Sequence, residues 1–228
     1  PLYKTDKVFS YRGMANFLCA NYKESIKDYN LAININNENS LYFINLATSK
    51  KMMKDYNGAL KDINSAIKLD STNSFYFRER GLIKNKLGDY LGSLSDLQKA
   101  LAKSTLRDYK RYGGYKYTEI KSYQSNLYKE IGKVEIKLKD YIKAISSLNM
   151  SISLSGGNST YKWYAKEAFL YRGIAKYELK DYQSACSDWY FKKQVGFFSS
   201  KYISDPVILQ SVKHNGSSIY SLYKKHCK

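Results

Sequence analysis

The sequence predicts an all-α chain, a solenoid of stacked antiparallel helix hairpins, on three observations. First, a tyrosine preceded by Asn or Asp recurs as Asn21-Tyr22, Asp55-Tyr56 and Asp89-Tyr90, spaced by 34, and returns as Asp140-Tyr141 and Asp181-Tyr182. Self-similarity at such a period marks a repeat architecture, in which each unit buries its apolar face only against its neighbours. Second, small and bulky residues keep fixed places around that tyrosine. Third, only two prolines and 13 glycines occur in 228 residues, too few for a turn-rich β chain.

Each element of the unit has a mechanical reason. Apolar residues spaced by three or four make both half-units amphipathic helices. A small residue stands nine before each tyrosine, at Gly13, Ala47, Gly81, Gly132 and Gly173. Another stands three after it, at Ser25, Ala59, Ser93, Ala144 and Ala185. Four further on comes a bulky residue, Tyr29, Ile63, Leu97, Leu148 or Trp189. Small residues let two helices approach closely, and the bulky one fills the groove beside them. Ala32, Ala66, Ala100 and Ser151 add a further small position that Lys192 breaks in the last unit. The Asn or Asp before the tyrosine is placed to cap the second helix.

Taken in order, the units are 6–39, 40–73, 74–107, 125–158 and 166–199. Residues 1–107 are expected to hold three hairpins. Residues 108–124 form an insertion: a loop with Gly113-Gly114, then the start of an extended helix. Ile120, Tyr123, Leu127, Ile131, Val134 and Leu138 run one apolar stripe backwards from the fourth unit, and Tyr161, Tyr164 and Ala168 do so for the fifth. First helices about two turns longer than usual are therefore expected in both. The two further hairpins occupy 125–199, and 200–228 is a capping region.

This pattern resembles the tetratricopeptide repeat family, over 170 of the 228 residues. The resemblance implies hairpins stacked into a right-handed superhelix, with first helices lining a concave groove that binds peptides or extended segments. Asn37, Ser71, Thr105 and Gly156 replace the proline that usually closes a unit. The tail is similar to the ends of bacterial repeat proteins of this family, with Ala185–Trp189, then Gly196, then a short capping helix at Ser217–Cys227. That shared ending makes a Cys186–Cys227 bridge conceivable; two unlinked thiols near each other are the preferred alternative.

Mapped onto the family's groove positions, the chain offers Met14, Phe17 and Leu18, then Ile44, Thr48, Lys51 and Met52, then Arg78, Leu82, Asn85 and Lys86. The last two units give Asn126, Lys129, Lys133 and Lys137, and Leu170, Ile174 and Tyr177. The resemblance thus points to a non-catalytic scaffold that holds an acidic protein or peptide over Lys51, Arg78, Lys86, Lys129, Lys133 and Lys137, with apolar anchors outside. The alternative is a solvated helix face in a Lys-rich chain. The family's clamp for acidic chaperone tails is not expected, because its positions hold Ser10, Met14, Asn45, Phe75 and Glu79, of which only Asn45 fits.

Net charge is +18, from 38 Lys and Arg against 20 Asp and Glu. Lys dominates, which favours loose attraction to anions over base-specific reading. The same surplus is what compositional drift toward Lys, Asn, Ile and Tyr would leave, and both readings stand. The rival function is nucleic-acid binding without sequence preference through the cation-and-ring segment 103–123, chiefly Lys110, Arg111, Tyr112, Tyr115 and Lys116, since rings stack bases while cations hold phosphates. A membrane-surface role ranks last.

Enzymatic chemistry is poorly provided for. His214 and His226 lie in the tail without an acid partner spaced to orient them. Cys19, Cys186 and Cys227 have no C-x-x-C spacing, so no metal is expected, and no cofactor is implied. No stretch approaches the 18 or so apolar residues of a membrane span. The chain is expected to be cytoplasmic, or exported after removal of an N-terminal segment.

Overall fold

The computed structural model describes residues 5–104, 117–155, 162–194 and 227. All its elements there are helices: α1 Asp6–Leu18, α2 Tyr22–Ile35, α3 Ser40–Met52, α4 Tyr56–Leu69, α5 Ser74–Lys86, α6 Tyr90–Lys103, α7 Tyr117–Lys137, α8 Tyr141–Leu154, α9 Lys162–Glu178 and α10 Tyr182–Gln194. They pair as hairpins in chain order. The chain divides into two compact units, 1–108 and 109–228. In the first, three hairpins stack through α2 on α3 and α4 on α5; in the second, two stack through α8 on α9.

The fixed small and bulky positions form the contact inside each hairpin. Ser25, Ala59, Ser93, Ala144 and Ala185 are fully buried, as are the bulky residues that follow them. A Cβ added to Gly81 would stand 3.0 Å from Leu97 Cγ, and one added to Gly132 2.6 Å from Leu148 Cγ. At Gly173 it would meet Trp189 Nε1 at 2.3 Å. Only the second hairpin, whose bulky residue is Ile63, takes Ala47 there. Trp189 donates its indole N–H to the Leu170 carbonyl at 3.4 Å, so the largest core residue has no unmet polar atom.

Helix ends follow local chemistry. Asp55, Asp89, Asp140 and Asp181 accept backbone N–H groups from Gly58, Gly92, Lys143 and Ser184 at 2.9, 2.8, 3.3 and 3.1 Å. Asn21 makes no such bond, against expectation. The first helices α3 and α5 are capped by neutral amides instead, Asn39 and Asn73 accepting from Leu41 and Phe75 N–H at 3.1 and 3.0 Å. The first helices end on left-handed residues at Ala20, Lys54, Gly88, Lys139 and Lys180. There the chain folds back, as with Asp55 N–H to Lys50 O at 3.0 Å, which satisfies a helix-end carbonyl. Only Gly88 adopts that conformation without a side chain to strain it.

In the first, third and fifth hairpins a second contact ties the first helix to its partner by charge. Arg12 reaches Asp28, Arg80 reaches Asp96 and Arg172 reaches Asp188, each pair 16 residues apart. Lys84 and Lys176 add a second cation to Asp96 and Asp188, at 2.8 and 3.0 Å. Arg80 and Arg172 also donate to Asn64 and Asn149 on the preceding hairpin's second helix. These residues therefore lock hairpin to hairpin as well as helix to helix.

One expectation is corrected. Cys186 and Cys227 are joined by a disulfide, not left as thiols, and Cys227 packs against the core around Trp189. Sequence spacing carried no distance, so the bridge could not be derived from it. The α7 helix does begin eight residues ahead of its unit. The described part of α9 begins only four ahead, and the rest of that expectation falls on 156–161, outside the described residues. The loop at 108–116, Gly196 and the capping helix at 217–226 also lie outside them.

Candidate partner-binding groove

The first helices α1, α3 and α5 carry the groove of the first unit. On α1, Met14 and Leu18 are exposed, and Phe17 is half-buried with its ring 5.5 Å from that of Tyr22. On α3, Ile44 is buried in the core, Thr48 folds its hydroxyl onto the Ile44 carbonyl, and Met52 is exposed. On α5, Arg78, Leu82 and Lys86 are four residues apart and line one stripe. Lys86 is exposed and has no ion-pair partner among the described residues.

Between α3 and α5 the charges interlock. Glu79 is buried, and its carboxylate takes Lys51 Nζ at 2.5 Å and Arg78 Nη1 at 2.7 Å. A buried carboxylate needs such partners, because desolvation otherwise opposes its ionisation. Two cations share one anion, so this stretch stays positive, and Lys86 adds to it.

The second unit is built differently. Lys129 is buried, with Nζ 3.2 Å from Glu130 Oε1 and 2.6 Å from Glu167 Oε2. Burial alone would lower its pKa, but Glu130 and Glu167 outweigh that and hold the ammonium above its ordinary value. Lys133 lies 3.4 Å from Glu130 and 3.9 Å from Glu167, with Nζ 5.0 Å from the Tyr171 ring centroid. Two lysines and two glutamates thus neutralise one another. Lys137 is half-buried and engaged. Leu170 and Ile174 are core residues packed with Trp189, and Tyr177 rests its ring 5.8 Å from the indole.

The six cations mapped from the sequence therefore fall into three states. Lys86 is exposed, Lys51 and Arg78 are held by Glu79 with positive charge to spare, and Lys129, Lys133 and Lys137 are engaged, the first two by Glu130 and Glu167. Sequence reasoning missed the carboxylates that decide this. Their signal was readable as Arg78-Glu79 and Lys129-Glu130, an acid directly following a groove cation. Glu167 carried no such signal, since it comes from the next hairpin, 38 residues away. Lys110, Arg111, Tyr112, Tyr115 and Lys116 lie outside the described residues, as do His214 and His226. Among the described residues no helix is long and apolar enough to cross a membrane.

The arrangement is that of a helical-hairpin repeat array of the tetratricopeptide type. Solved structures share it. Pseudomonas aeruginosa PilF is 15% identical, the match covering 98% of this chain and 97% of that one, with a TM-score of 0.65. MamA from Desulfovibrio magneticus RS-1 is 12% identical over 88% of this chain and 97% of that one, with a TM-score of 0.68. A further MamA structure is 17% identical over 84% and 95%, at 0.59. At these identities the likeness is one of fold. No protein-family model and no curated protein matches the chain.

Proposed function

We propose that this protein is a non-catalytic scaffold that binds an acidic, extended protein segment along α3 and α5. One observation carries the reading: Lys51 and Arg78 pair with the buried Glu79 and Lys86 stands exposed on the same stripe, near exposed Met14, Leu18 and Met52. A partner carboxylate reaching Arg78 or Lys86 gains a charge-assisted bond, and the exposed apolar residues of α1 and α3 add burial. The second unit contributes little electrostatic attraction, because Lys129 and Lys133 already face Glu130 and Glu167. The acidic determinant of the partner accordingly belongs over the first unit.

The test is capture from the native cell's lysate with Arg78→Gln plus Lys86→Glu as the control variant, with and without nuclease, eluted by a salt ramp. Lys86 is exposed, and Lys51 still holds Glu79 when Arg78 is replaced, so folding of the variant is checked by circular dichroism before capture. A protein retained after nuclease and lost with the variant supports the reading. Bound material that vanishes with nuclease and elutes early and log-linearly with salt overturns it in favour of nucleic acid.

A further inference from the structure

Leu18, Met52 and Lys86 hold the same place in three successive units of 34 residues, at the ends of α1, α3 and α5. All three are exposed, Leu18 by 73% and Met52 by 46%. Met52 stands on the middle helix, which has a hairpin packed on either side. The exposure therefore belongs to the groove face and not to an end of the array. One helical turn earlier stand Met14, Thr48 and Leu82, the last two half-buried, so a second row runs beside the first.

Both steps along the row are bridged in the same way. Tyr42 donates to Asp6 Oδ2 at 2.9 Å between α1 and α3. One unit later Tyr76 and Ser40 share a hydrogen bond of 3.0 Å between α3 and α5, and Lys51 adds a link to Glu79. Neighbouring helices lie roughly 8–10 Å apart, and that sets the step from Leu18 to Met52 to Lys86. A polyproline II segment has three residues per turn and rises about 3.1 Å for each, so every third side chain returns to one face after about 9 Å. A β-strand alternates faces with a rise of about 3.3 Å, so its side chains on one face recur at about 6.6 or 13 Å and miss the step. Charge then sets the order of anchors. Leu18 and Met52 favour apolar side chains, whereas Lys86 favours a carboxylate, beside the positive charge that Lys51 and Arg78 leave over.

We infer that the segment bound in this groove takes the polyproline II conformation and places an anchor at every third residue: two apolar side chains over Leu18 and Met52, then one carboxylate over Lys86. The inference rests on the acidic extended partner proposed above and adds its conformation, its spacing and the order of its anchors.

The probes are synthetic peptides of equal length with blocked ends, each carrying two leucines followed by one glutamate. The anchors are placed two, three or four residues apart on proline and serine spacers, or seven apart on alanine spacers. Each peptide is made in both chain directions and titrated by fluorescence anisotropy against the intact chain at physiological ionic strength. In one direction the three-residue spacing should bind several-fold tighter than any other. Met52→Ser should weaken it several-fold. Lys86→Glu should remove the preference for glutamate and transfer it to a peptide with lysine in that place, a gain that a misfolded variant would not show. Binding indifferent to spacing, yet lost with Arg78→Gln plus Lys86→Glu, overturns the inference and leaves the acidic-partner reading standing. Tightest binding at seven residues overturns it in favour of a crossing α-helix, whose seven residues rise about 10.5 Å. If no peptide binds, the inference fails, and the lysate capture alone decides the broader reading.

Discussion

The second and third hairpins place a buried aspartate at the same point and hold it in opposite ways. Asp96 of the third is desolvated, which raises its pKa, but Arg80 and Lys84 outweigh burial and hold the carboxyl below the ordinary range. Asp62 of the second is also desolvated, yet it faces Leu46 where Arg80 would stand. Lys50, 2.7 Å away, is its only ion-pair partner among the described residues, and burial wins. The fourth hairpin goes further: Ile131 replaces the arginine, Ser147 the aspartate, and Glu135 the lysine. One backbone frame therefore carries a stabilising triad, a half-compensated pair and an inverted charge. Between the second and third hairpins the difference rests on one first-helix residue, Leu46 against Arg80; the fourth changes all three positions.

The largest break in this comparison is Asp96→Ala. It leaves Arg80 and Lys84 facing each other with no anion and should cost about 3 kcal/mol in urea unfolding, as removal of one buried partner generally does. Asp62→Ala frees one lysine and should cost about 1 kcal/mol. Equal losses would show that Arg80 adds nothing. The pH response should also differ in sign. Asp96, with its folded pKa depressed, contributes stability above the unfolded value of about 3.9 and loses it as pH falls through the folded value. Asp62, with its folded pKa raised, costs stability above that pKa and relieves the cost as pH falls through it.

A smaller break uses the close contact inside the hairpin. Gly173→Ala drives a methyl into the Trp189 indole and should cost about 2 kcal/mol, the usual scale of overpacking, read as a lower thermal midpoint. Ala47 occupies the same place in the second hairpin without conflict, because Ile63 is smaller than Trp189. If Gly173→Ala is neutral while Trp189→Ile makes no difference to it, the paired fit of small and bulky residues is not what sets the approach.

Features that depend on local chemistry could be read from the sequence. The 34-residue period, the tyrosine opening each second helix, the aspartate caps and the small-to-bulky contact all appear where spacing placed them. The groove was legible only as a row of cations. Whether Lys129 is free or buried depends on Glu167, which stacking of the next hairpin brings to it, and spacing within one unit cannot reveal that. Arg12, Arg80 and Arg172 each precede an aspartate by 16 residues, a regularity open to inspection but hidden by its absence from the second and fourth units. The disulfide needed a distance between Cys186 and Cys227 that no pattern supplies.

The smallest break concerns Glu135. It is buried between α7 and α8, where the equivalent residues Lys50, Lys84 and Lys176 are ion-paired. Its Oε2 has no hydrogen-bond partner. Burial raises the pKa of its carboxyl; the Ser147 hydroxyl offsets part of that, and the charge of Asp140 adds to the rise. A carboxyl whose folded pKa is raised binds its proton more tightly in the native state. Its contribution is therefore most favourable below the unfolded pKa of about 4.3 and is lost as pH rises through the folded value. Glu135→Gln keeps the shape and removes the ionisation, so it should stabilise the chain by about 1 kcal/mol at pH 7. At pH 4 most of that gain should be gone, because the native glutamate is then already protonated. Chemical unfolding of both proteins across that range reads the difference directly. A loss of stability at pH 7 equal to that at pH 4 would mean the ionised carboxylate is compensated in place, and the fourth hairpin would then belong with the third.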